Sequence, residues 1–72
     1  MEINDLARES KNGDVIYIGR AMQLYSVNEK LKDDLMGIPM DAFETLDEAL
    51  VFAKQYLQEH PDAGFDVTAC AK

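Results

Sequence analysis

The sequence predicts an α+β domain: a small three-stranded, mainly antiparallel sheet packed against two or three helices. Three observations predict it. Capping-box patterns at Ser26-Val27-Asn28-Glu29 and Thr45-Leu46-Asp47-Glu48 each open a helical stretch. The run Asp14-Val15-Ile16-Tyr17-Ile18 is β-branched and aromatic and reads as a strand buried on both faces or centrally placed. Phe65 to Cys70 alternates apolar and polar residues at period two. With 72 residues there is room for a single domain spanning 1–72. A chain this short buries only about 60% of its unfolded surface, so the core is thin.

In chain order, Asn4 caps a first helix running to about Lys11, Asp5 favours its positive end, and Asn12-Gly13 stops it. After the strand at 14–18, Gly19-Arg20 reads as a tight turn into a second strand, 21–25. Residues 20–27 also fit a helix, because Ala21, Leu24, Val27, Leu31 and Leu35 share one helical arc. The Ser26 capping box favours the hairpin, followed by a helix from Val27 to Met36. Gly37 ends that helix, and Ile38-Pro39 forces extended chain. The Thr45 box opens the clearest helix, Leu46 to about His60, with Leu46, Leu50, Ala53 and Leu57 as its stripe. Pro61 follows it, Asp62-Ala63-Gly64 turns, and Phe65, Val67 and Ala69 share one side of a last, half-buried strand.

Fourteen acids against seven bases give a net charge of −7. That charge repels phosphate backbones and anionic membranes, and suits a partner protein with a basic surface. The N-terminus lacks a basic segment followed by an apolar run, and no apolar stretch approaches the ~20 residues that span a bilayer. The expected location is the cytoplasm of the producing or host cell. Cys70 is the one cysteine, so neither an internal disulfide nor a cysteine zinc cluster can form.

The residue inventory points away from catalysis. His60 sits in the last helical turn beside Pro61, where a cation suits the helix dipole, and it lacks the partners that tune a catalytic imidazole. Cys70 has no basic sequence neighbour to lower its pKa. Ser26 and Thr45 read as helix caps rather than nucleophiles. The acids miss the ligand spacing of a calcium loop, and the scattered glycines form no phosphate cradle. The expectation is a non-enzymatic protein with no catalytic residues, no metal and no cofactor.

One feature is uneven. From Glu29 to Glu48 seven acids face two lysines, a net −5, leaving −2 for the rest. This segment includes the loop expected at Gly37–Glu44, which also exposes Met36, Ile38, Met40 and Phe43 in part. Their ordinary role is to close the small core beneath a loop; their functional role is to anchor a partner that the charge steers in. The expected contact residues are Asp33, Asp34, Met40, Asp41, Phe43, Glu44 and Glu48.

The opening residues, in particular Ile3-Asn4-Asp5-Leu6, Arg8-Glu9, Lys11-Asn12 and Asp14, resemble the start of a phage-borne anti-CRISPR protein that inhibits Cas9. The resemblance covers residues 1–14, about a fifth of the chain, and no functional residue carries over, because the matching stretch is a helix opening. It implies a tiny, acidic, non-enzymatic inhibitor. Many such inhibitors resemble DNA in charge and block nucleic-acid binding by a CRISPR nuclease. The expected function is therefore an inhibitor or adaptor that binds a basic protein surface, conceivably a Cas protein, as a DNA mimic. The alternative is a self-associating structural or regulatory module, dimerising through an apolar face or a sheet edge such as strand 15–18 or the last strand.

Overall fold

Alternation decides the sheet. Between Leu24 and Lys30, Tyr25, Val27 and Glu29 share one side, whereas Ser26, Asn28 and Lys30 share the other. The structure is a computed structural model describing residues 1–70, and it uses this period-two pattern as a strand. In order, the elements are a 3-10 turn at Ile3–Leu6, β1 (Val15–Ala21), β2 (Leu24–Lys30), β3 (Ile38–Phe43), α1 (Leu46–Glu59), β4 (Gly64–Phe65) and a 3-10 turn at Val67–Ala69. The sheet order is β3-β2-β1-β4. The first three strands are antiparallel, and β4 runs parallel to β1. The fold is α+β, a four-stranded mixed sheet with one α-helix packed against it. Its radius of gyration of 11.0 Å is that of a packed chain of this length.

Several sequence expectations are corrected. The helix expected at Val27–Met36 is absent: Ser26 to Lys30 completes β2, and residues 31–37 form a loop. The hairpin turns at Met22-Gln23, not Gly19-Arg20, with both turn residues at positive φ (53° and 66°). Left-handed backbone costs a non-glycine residue roughly 1–2 kcal/mol. The register it permits sets Ile18 opposite Val27 and buries both, and full burial of each such side chain contributes roughly 1.5–3 kcal/mol. A turn at Gly19-Arg20 would leave Val27 with no place opposite β1. The first helix is a single 3-10 turn, because Arg8 must extend to pair with Phe65. The last strand stops after Phe65: Asp66 caps a 3-10 turn with its carboxylate, accepting from the Thr68 and Ala69 N–H groups.

The helix stands where the sequence placed it. Thr45 caps it, accepting from the Glu48 N–H and donating its hydroxyl to the Glu48 carboxylate. Ala49, Leu50, Ala53 and Leu57 press on Ile16, Ile18, Val27 and Phe65. Cys70 belongs to this core: its Sγ accepts from the Ile18 N–H at 3.3 Å, beyond the end of the short β4.

Arg8 ties the two ends of the chain together. Its guanidinium donates to the carbonyls of Leu57, His60 and Ala63 at 2.6–3.1 Å. Two of these are carbonyls that a helix C-terminus leaves unpaired. Its backbone also pairs with Phe65, extending the sheet past β4. Replacing Arg8 by Ala is expected to lower stability by about 1–3 kcal/mol, with Lys recovering little because it lacks the planar fork. Urea unfolding of the three proteins measures this.

Between the sheet and α1, the Tyr56 hydroxyl donates to the Glu29 carboxylate at 2.6 Å. Burial, then this bond and the charges of Glu29 and Asp14, hold the Tyr56 phenol protonated well above its ordinary 10.0. Burial likewise raises the Cys70 thiol above 9.0, outweighing the lowering effect of the Ile18 hydrogen bond. In each case the folded state keeps a proton that the unfolded state releases. The stabilisation is therefore complete below the ordinary value and fades as pH rises past it. Urea midpoints are expected to fall between about pH 9 and about pH 11, with a shallower fall in Tyr56→Phe. Equal slopes in the two proteins would contradict this assignment.

Candidate protein-binding surface

The expected contact residues lie along the β3 side of the molecule. Asp33 and Asp34 occupy the β2–β3 loop, Asp41 lies on β3, Glu44 follows it, and Glu48 is in the first turn of α1. A six-residue strand spans about 20 Å, so these carboxylates form a stripe rather than a cluster. Among the described residues no group of three or more His, Cys, Asp or Glu converges as a metal site would require.

The structure separates these residues by environment. Asp33, Asp41, Glu44 and Glu48 are exposed and Asp34 is half-buried. Two of them also serve the fold: Glu48 completes the Thr45 cap, and the Asp41 carboxylate accepts from the Ala42 N–H at 2.8 Å. Met40 and Phe43 are half-buried and pack on the core. Phe43 lies against Phe52 with ring centroids 5.4 Å apart. Their placement is that of core-closing residues.

The exposed apolar side chains are others. Leu35 is 96% exposed, Met36 77% and Ile38 63%, all beside Asp33 and Asp34. Met36, at the end of the expected helix, and Ile38, in the loop after it, were legible as partly exposed. Leu35 was not, because a helix through Met36 would have used it to fill its arc. Met22, 94% exposed at the hairpin tip, is a separate apolar projection at the other end of β2.

Two contacts set the path of the loop. The Lys32 N–H donates to the Asp14 carboxylate at 2.9 Å, tying the loop to the start of β1. The Tyr17 side chain lies against Gly37: a Cβ added at Gly37 would overlap the Tyr17 hydroxyl and come within 2.7 Å of Cζ.

Two shallow depressions of about 350 and 220 Å³ flank Arg8, whose guanidinium is already committed to backbone carbonyls. His60 caps α1 and stacks on Tyr56 at 4.0 Å. No helix among the described residues is long and apolar enough to cross a membrane. No family model, no curated protein and no solved structure matches this chain.

Gly37→Ala is expected to displace the loop and cost about 1–3 kcal/mol. Because the hydroxyl is the nearest atom, Tyr17→Phe should relieve part of that cost. A double-mutant cycle measures the coupling, expected at about 0.5 kcal/mol or more.

Proposed function

We propose that this protein is a small non-enzymatic inhibitor or adaptor that occludes a basic protein surface, in the specific form of a DNA-mimicking anti-CRISPR that blocks nucleic-acid binding by a CRISPR nuclease. One observation carries the reading: a carboxylate stripe runs along the β3 side, beside the exposed Leu35, Met36 and Ile38. Carboxylates steer a basic partner and stand in for phosphates, and the apolar trio provides the short-range hold. Leu35, Met36 and Ile38 thus take the anchoring role first assigned to Met40 and Phe43. The net charge of −7 and the resemblance of residues 1–14 agree with this form.

The alternative, a self-associating module, draws on a different surface. Val15, Tyr17, Ala21 and Leu24 alternate onto the sheet face away from the core residues Ile16 and Ile18. The edges first considered for it do not serve, since β1 is flanked by β2 and β4, and β4 is bridged by Arg8.

Purified Cas9 loaded with guide RNA is the direct probe. The protein is expected to bind it, compete with target DNA, and bind more weakly as salt rises. Asp33→Lys with Asp34→Lys should weaken binding about tenfold or more and flatten the salt dependence, whereas Leu35→Ser with Met36→Ser should weaken it at unchanged salt dependence. No binding to loaded Cas9 removes the anti-CRISPR form. Identical captures from host lysate by the wild type and the double-lysine variant remove the basic-surface reading as a whole.

A further inference from the structure

Every strand edge is a row of backbone groups waiting for a partner, and here the two edges are treated differently. On the β4 side, the gap is filled from within the chain. Phe65 exchanges hydrogen bonds with Arg8, the Asp66 N–H donates to the Ile16 carbonyl, and the Ile18 N–H finds the Cys70 sulfur. On the other side β3 is the outermost strand, its length of Ile38–Phe43 uncovered by any further strand among the described residues.

The register shows which β3 groups face outward. The two-residue hairpin makes Ala21 and Leu24 a hydrogen-bonded pair, and bonded pairs alternate from there. β2 therefore turns Leu24, Ser26 and Asn28 toward β1 and Tyr25, Val27 and Glu29 toward β3. Their partners on β3 are Phe43, Asp41 and Ile38, with the register shifting between Val27 and Asn28 so that Met40 is the extra residue of a bulge. Pro39 and Ala42 are left with their backbone groups facing outward.

Neither offers a donor. Pro39 has no N–H, and the Ala42 N–H is taken by the Asp41 carboxylate at 2.8 Å. A strand arriving at this edge would find carbonyls alone, beside a negative charge and a bulge. A second copy of the chain, presenting the same donor-free edge about a twofold axis, could not complete a ladder.

We infer that Pro39 and Asp41 together close the β3 edge against strand pairing with a second copy of this chain. Asp41 thereby has a role in the isolated protein, independent of any contact with a basic partner.

Sedimentation equilibrium of the full chain tests this. Pro39→Val with Asp41→Thr restores one outward N–H and frees the other. The double variant is expected to self-associate at least about tenfold more tightly than the wild type. Asp41→Thr alone, an exposed substitution that leaves the core intact, should show part of the gain. Asp41→Asn keeps an oxygen for the Ala42 N–H and should sediment like the wild type. The inference is overturned if the variants, folded by circular dichroism, sediment as the wild type does. It is also overturned if Asp41→Asn associates as strongly as Asp41→Thr, which would make charge rather than the backbone cap the guard.

Discussion

A single α-helix must bury one face of a four-stranded sheet, and the Arg8 guanidinium holds the end of that helix to the rest of the chain. The core has one layer: Ile16, Ile18 and Val27 from below meet Ala49, Leu50, Ala53 and Leu57 from above. In so thin a core, positioning the helix matters as much as its apolar stripe. The Thr45 cap fixes its start. Its end is met from outside, by an arginine more than forty residues earlier that donates to the carbonyls of Leu57, His60 and Ala63. The same residue bridges β4, so one side chain and its backbone close both the helix end and the sheet end.

This economy leaves the β3 side open. The β4 side is covered by the Arg8 segment and by the residues leading to Cys70, whereas β3 has the β2–β3 loop at one end and the start of α1 at the other. The acids of residues 29–48 divide accordingly. Glu29 turns toward α1 to meet Tyr56, Glu48 and Asp41 satisfy local backbone or hydroxyl groups while staying exposed, and Asp33 and Glu44 stand exposed without such a bond among the described residues. The charge excess read along the chain is thus partly structural. What remains for a partner is a line of carboxylates beside Leu35, Met36 and Ile38.

The sequence carried some elements clearly and misrepresented others, for physical reasons. The Thr45 box and the Leu50-Ala53-Leu57 stripe specify α1, because its cap and its apolar face agree. Val15 to Ile18 is legible as a strand from its β-branched run. The Ser26 box is a true pattern overruled by tertiary structure: Val27 is worth more opposite Ile18 than in a helix, and the period-two alternation from Tyr25 to Lys30 was the competing signal. Gly19 drew the turn away from Met22-Gln23, which adopts left-handed backbone without the residues that favour it. Arg8 and Cys70 were invisible as fold determinants, since their partners lie about fifty residues away. At the surface, the stripe of acids was legible. The identity of the exposed apolar residues depended on the loop, and so followed the error at Val27–Met36.

On the proposed reading the β3 side attracts cationic, amphipathic protein surface and the remainder is scaffold. Amide chemical-shift mapping of the labelled protein, titrated with a short amphipathic Lys/Leu peptide, tests it most directly. Shifts are expected to concentrate between Leu31 and Glu48 and to diminish with added salt. Shifts distributed evenly over the chain, or centred on the Arg8 and Val67 side, would contradict it.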